Sequence, residues 1–61
     1  RPVVAVLLEH NERSRGLAER AGLRPCWRGP DAGNPDPAAV RLVYADRDLD
    51  ATLLARIAEH D

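Results

Sequence analysis

Residues 3–23, VVAVLLEHNERSRGLAERAGL, decide the fold. They open with an uninterrupted apolar run whose length and β-branched content predict a strand over 3–8. Such a run is typical of a strand covered on both faces, as in a parallel or mixed sheet. Because this strand is too apolar to stand at a free sheet edge, we expect another segment or another chain to pair with it.

A helix is predicted directly after this strand, over 12–21. Asn11 precedes it, and an asparagine side chain there can accept a hydrogen bond from an early helix amide. Gly22 follows it, and a glycine at this position commonly ends a helix. The stretch therefore predicts a strand, a capped helix and a glycine stop in immediate succession.

The remaining segments predict two more strands and a second helix. Pro25 lacks a backbone donor, so the strand that contains it is expected at a sheet edge. Asp50 is suited to cap the last helix. The predicted segments are strand 23–28, loop 29–38, strand 39–45 and helix 49–59.

The element order β-α-β-β-α predicts an α/β fold with a small mixed sheet of three strands. A length of 61 residues, with 44% apolar residues, allows one small domain whose core is thin. The chain contains no Met, so we expect Arg1 not to be a native start and 1–61 to be a single partial domain.

Charge and cysteine content exclude several classes of protein. A net charge of -1 does not favour nucleic acid, and no apolar stretch is long enough for a membrane span. One cysteine cannot form an internal disulfide, which favours a reducing, cytoplasmic compartment. The flanking charges of Arg24 and Arg28 could lower the thiol pKa of Cys26, although a plain half-buried thiol is the alternative. No spacing of His and Cys predicts a metal site.

The pattern that starts at Asn11 resembles a cofactor-side motif of the GNAT superfamily of acyl-CoA N-acyltransferases. In that family an Asn is followed three positions later by a small residue, then by a Leu-Tyr-Glu-Lys-like stretch and Gly-Phe. The resemblance covers nearly all of this chain, but only the last part of that fold. The matching residues here are Asn11, Ser14, Leu17-Ala18-Glu19-Arg20 and Gly22-Leu23, with Trp27-Arg28-Gly29 and Val40–Tyr44 similar to the later strands.

The resemblance implies a cofactor site that binds acetyl-CoA. In such folds two parallel strands splay apart and the pantetheine arm enters between them, and strand 3–8 would be the second of that pair. Asn11 would meet the pantetheine amides or the substrate, Ser14 would lie near the CoA arm, and Arg15 could pair with a CoA phosphate. From the residues alone, the alternatives are that Asn11 only caps the helix, that Ser14 is an exposed first-turn residue and that Arg15 is a solvated charge.

Two departures from the family pattern bear on catalysis. Ala18 stands where the family often has a tyrosine that acts as general acid. The proton donor would then be Tyr44, a water molecule or no group at all, and a core role is the alternative for Tyr44. The pyrophosphate-binding loop is absent, so a preceding part of the fold or another subunit would have to supply it.

The implied function is acetyl transfer from acetyl-CoA to an amine by the complete protein. The 61-residue chain alone is expected to be inactive and to bind CoA poorly. The alternative is a non-catalytic module of the same origin that binds or oligomerises, most simply as a homo-oligomer.

Overall fold

The computed structural model describes residues 2–59, and within its last helix the side chains up to residue 57. The ends of the predicted 1–61 domain, residue 1 and residues 60–61, lie outside the described residues. The order of elements confirms the predicted β-α-β-β-α succession. The elements are β1 (Val4–Leu8), α1 (Glu12–Arg20), β2 (Arg24–Pro30), β3 (Val40–Ala45) and α2 (Ala51–Glu59).

The three strands form an antiparallel sheet in the order β1-β3-β2, so the expected mixed sheet is wrong. Strand β3 lies between the other two and runs antiparallel to both. Strands β1 and β2 are parallel in direction, but they are not neighbours and form no ladder with each other. The register places Val6 opposite Val43 on one side of β3 and Trp27 opposite Val43 on the other.

The core lies on β3, the central strand. Leu42 and Tyr44 pack with Ala18 of α1 on one face of the sheet. Val43 and Ala45 alternate with them and are completely buried. Helix α1 also contacts β1, whereas α2 contacts β2 and β3. Alternate residues of β3 therefore lie on opposite faces of the sheet.

Helix α1 has the predicted caps. The Oδ1 atom of Asn11 accepts a hydrogen bond from the backbone amide of Ser14 at 3.1 Å. At the other end Gly22 has a φ of 85°, and the Leu23 amide donates to the Ala18 carbonyl at 3.0 Å. This combination is a Schellman-type stop, in which only glycine adopts the left-handed backbone without strain. The helix ends at Arg20, one residue earlier than predicted.

Strand β2 is longer than the sequence predicts, and the loop is correspondingly shorter. Gly29 and Pro30 pair with Arg41 and Val40 of β3, so the prediction of a loop from residue 29 is wrong for these two positions. A bulge at Cys26 shifts the register within the strand. The position of β2 at the sheet edge confirms the expectation drawn from its proline.

A charged pair fixes the connection between β2 and β3. Arg41 lies on the central strand and is only 5% exposed, although it carries a charge. Its Nε donates to Oδ1 of Asp31 at 2.7 Å, and its Nη2 donates to the Ala32 carbonyl at 3.3 Å. Asn34 donates to the other carboxylate oxygen of Asp31 at 2.9 Å. The first half of the loop is thereby tied to the central strand.

Candidate functional site

The outer edge of β1 is open, because no segment within residues 2–59 pairs with it. The Glu9 amide donates to the Val40 carbonyl, and the Asp46 amide donates to the Val3 carbonyl. In an antiparallel ladder these bonds place the odd-numbered backbone groups of β1 toward β3. The even-numbered groups, at Val4, Val6 and Leu8, therefore face outward, and we call this row the β1 edge.

The β1 edge is exposed and uncharged. Val6 is 51% exposed and Val3, just before the strand, is 56% exposed. The expectation that strand 3–8 is covered on both faces is therefore wrong at Val6. The reason is that Ala5 and Leu7 face the core beneath α1, whereas Val6 lies on the opposite face of the sheet, where α2 packs chiefly on β2 and β3. The expectation that strand 3–8 does not stand at a free sheet edge is also wrong within residues 2–59, because β1 pairs with β3 on one side and with no segment on the other.

Asn11 and Ser14 lie at the carboxyl end of β1, where the chain enters α1. The carboxamide oxygen of Asn11 is used by the helix cap, while its amide nitrogen donates to none of the described residues. Ser14 is half-buried in the first turn. The helix N-terminus adds a partial positive charge at this point. The arrangement offers amide and hydroxyl donors beside an open strand end.

Arg15, the next residue of α1, lines a groove between α1 and β2. Its Nη1 donates to the Glu9 carbonyl at 3.2 Å, and its buried Nε has no hydrogen-bond partner among the described residues. The groove has a volume of about 440 Å³. We call it the α1–β2 groove, and its lining residues are Glu9, Arg15, Pro25, Cys26, Trp27, Arg28, Leu42 and Tyr44.

Tyr44 lies in the same groove, one strand inward from the β1 edge, opposite Ala5. The residue is 2% exposed, and its hydroxyl donates to Oε2 of Glu19 at 2.9 Å. Its ring belongs to the core cluster with Ala18 and Leu42. Tyr44 and Arg15 therefore both line the groove, whereas Asn11 and Ser14 do not.

An ion pair closes one end of the groove. The Nε and Nη2 atoms of Arg28 donate to the two carboxylate oxygens of Glu9 at 2.5 and 3.1 Å. These hydrogen bonds lower the pKa of Glu9, against the opposing effect of desolvation. The bridge joins the end of β1 to β2 across the central strand. The sequence does not predict this contact, because it depends on the insertion of β3 between β1 and β2.

Cys26 is not an activated thiol. Desolvation, reinforced by the charge of Asp48, raises its pKa, and the nearby Arg24 does not compensate. The thiol donates to the Val43 carbonyl at 3.3 Å. The idea that flanking arginines lower its pKa is therefore wrong, because the thiol is tucked against the backbone of β3. Among residues 2–59 no group of three or more His, Cys, Asp and Glu side chains is placed to hold a metal ion.

No protein-family model, curated protein or solved structure shows significant similarity to the chain. The structure adds that neither described helix is long and apolar enough to cross a membrane. The class of protein supported at this point is a small α/β domain with a three-stranded antiparallel sheet and two helices.

Proposed function

We propose that this chain is the cofactor-side, C-terminal part of a GNAT-like acetyltransferase, which moves an acetyl group from acetyl-CoA to an amine. The observation that carries the proposal is the juxtaposition of the β1 edge with Asn11 and Ser14. An open strand whose outward amides and carbonyls are free can pair with the amides of a pantetheine arm. The free amide nitrogen of Asn11 then supplies a further donor at the strand's carboxyl end.

The proposed reaction is direct attack of a neutral substrate amine on the thioester carbonyl. A C–N bond forms, the C–S bond breaks, the amine loses a proton, and the CoA thiolate gains one. The contribution of the protein is chiefly positioning, together with backbone amides that polarise the carbonyl. Other parts of the complete protein, or a second subunit, would contribute the pyrophosphate loop and the amine site.

Two residues have weaker proposed roles. Ala18 can transfer no proton, so Tyr44 is the candidate donor to the leaving thiolate. Its burial and its bond to Glu19 support the alternative role in the core. Arg15 remains a candidate for a CoA phosphate, but its place in the α1–β2 groove makes that contact the least supported part of the proposal.

Thermal unfolding in the presence of acetyl-CoA tests the proposal, because a ligand that binds the folded state raises Tm. Asn11→Asp separates capping from binding. Aspartate caps a helix about as well as asparagine, but it has no amide donor. Because the pyrophosphate loop is missing, we expect acetyl-CoA to raise the Tm of the unchanged chain only at high ligand concentration, and to do so much less for Asn11→Asp.

Arg13→Gln is the matched control, since Arg13 is exposed on α1 and lines neither the β1 edge nor the α1–β2 groove. It should respond to acetyl-CoA like the unchanged chain. An equal Tm increase in Asn11→Asp would remove Asn11 from the site. No Tm increase in any of the three proteins would contradict the proposal for this chain.

A further inference from the structure

The two edges of the sheet are built differently. Strand β2 carries Pro25 and Pro30, which cannot donate, a bulge at Cys26 and the charges of Arg24 and Arg28. Prolines, bulges and charges are the usual means by which sheet edges avoid pairing with other chains. Strand β1 has none of them, and it is the one described element without a charged residue. The β1 edge is therefore not protected against pairing.

Two of the exposed apolar side chains belong to the β1 segment. Among the described residues, the large apolar side chains that remain exposed are Val3, Val6 and Leu17. Helix α1 packs on the sheet through Ala18, and Glu19 reaches toward Tyr44 on the groove side. At about 100° per residue, Leu17 projects from the opposite side of α1 to Glu19, toward the β1 edge.

We propose that the β1 edge pairs with the β1 edge of a second copy of this chain. The pairing is antiparallel about a two-fold axis at Val6, which continues the sheet through both copies. Val6 then faces Val6 of the second copy, and Val4 faces Leu8. All of these positions have outward backbone donors and acceptors, as a hydrogen-bonded antiparallel ladder requires.

The charges are compatible with this register. No charged residue lies opposite another, since Glu9 faces Val3 and the residues between them are apolar. A two-fold interface uses the same surface in both copies, so the strand must be complementary to itself. A protein partner of other sequence would need no such self-complementarity. The same axis keeps α1 on one face of the joined sheet in both copies.

This inference does not rest on the proposed function, but it involves the same edge. A second copy and a pantetheine arm cannot occupy the β1 edge of one chain at the same time. Acetyl-CoA, if it binds there, is therefore expected to dissociate the pair.

Val6→Lys and Val6→Glu test the proposal, because each places like charges directly opposite one another at the axis, which is destabilising. By sedimentation velocity, the unchanged chain should shift with increasing concentration from 6.7 kDa toward twice that mass. Each variant alone should remain a monomer. An equimolar mixture of the two should associate, because unlike charges then face each other.

Val3→Lys is the matched control, since it changes an equally exposed residue but places the new charge opposite Glu9. It should associate at least as strongly as the unchanged chain. Circular dichroism confirms that each variant is folded. The proposal is overturned if the unchanged chain stays monomeric at the highest soluble concentration, if Val6→Lys associates normally, or if the Lys and Glu variants fail to associate when mixed.

Acetyl-CoA added to the unchanged chain separates the two proposals. Association without any acetyl-CoA-dependent rise in Tm leaves the pairing intact and counts against the cofactor site. If the chain binds acetyl-CoA but stays monomeric at all concentrations, the cofactor site is supported and the pairing is overturned.

Discussion

Two glycines of the α1 segment have opposite effects on its stability. Gly22 has a φ of 85° and forms the helix stop, although a Cβ atom there would meet nothing within 4 Å. Gly16 lies inside the helix, where an added Cβ would only reach Arg20 Nη2 at 4.0 Å. At Gly22 the backbone conformation requires glycine, whereas at Gly16 neither the backbone conformation nor the available space requires it.

Gly22→Ala should destabilise the fold by about 1–2 kcal/mol, because the left-handed region is unfavourable for any residue with a Cβ. Gly16→Ala should stabilise it by about 0.5–1 kcal/mol through helix propensity. Urea denaturation of the two variants measures both changes. Equal effects of the same sign would show that the helix stop at Gly22 contributes nothing specific.

The capping residues and the helix stop could be predicted from the sequence because they depend on neighbours in the chain. Asn11, Asp50 and Gly22 have the predicted roles, and the Leu53 amide donates to Oδ1 of Asp50 at 2.8 Å. The contact between Arg28 and Glu9 could not be predicted in this way. It joins positions whose proximity depends on how the strands are ordered.

Among the elements, the segment between β2 and β3 depends on one ion pair. The side chains of Arg41 and Asp31 are 6% and 17% exposed, whereas those of the salt-bridged Arg24 and Asp48 are 64% and 97% exposed. A buried charge that loses its partner is costly, while a surface bridge contributes little. The two pairs therefore provide a matched comparison within one molecule.

Asp31→Asn should lower the urea midpoint clearly, while Asp48→Asn should leave it nearly unchanged. Combining Asp31→Asn with Arg41→Met should cost less than the sum of the two single substitutions, because the partners are coupled. Simple additivity in this double-mutant cycle would show that the ion pair does not hold the loop.

Element type was predictable along the chain, but sheet order and strand ends were not. The apolar run at 3–8 and the alternation in 39–45 identify strands, because each pattern reflects local burial. The sequence pattern of β3 is the same whether the strand lies beside β2 at the edge of the sheet or between β1 and β2. Gly29 and Pro30 have the composition of a loop, and only pairing with Arg41 and Val40 makes them part of a strand.

For the whole molecule, acid should be the main destabilising condition. Hydrogen bonds from Arg47, and a further one from the Val3 amide, lower the pKa of Asp46 to about 2. Hydrogen bonds from Asn34 and then Arg41 lower the pKa of Asp31. A carboxyl group with a lowered folded-state pKa stabilises the fold above its unfolded pKa, and this contribution is lost as pH falls.

The free energy of unfolding should therefore fall between about pH 4, near the ordinary pKa of aspartate, and about pH 2. Urea titrations across this range measure the loss. Asp46→Asn should lose less stability over the same interval than the unchanged chain. An identical pH dependence in both proteins would mean that Asp46 makes no net contribution.

The β1 edge and the residues that follow it are the surface on which the functional account depends. An NMR titration of the isotope-labelled chain with acetyl-CoA observes this surface residue by residue. The account predicts saturable shifts in the backbone amides of 4–14, centred on the outward positions of β1 and on Asn11 and Ser14. We also expect these shifts to be much smaller for Asn11→Asp. Shifts confined to the α1–β2 groove, or none at all, would contradict it.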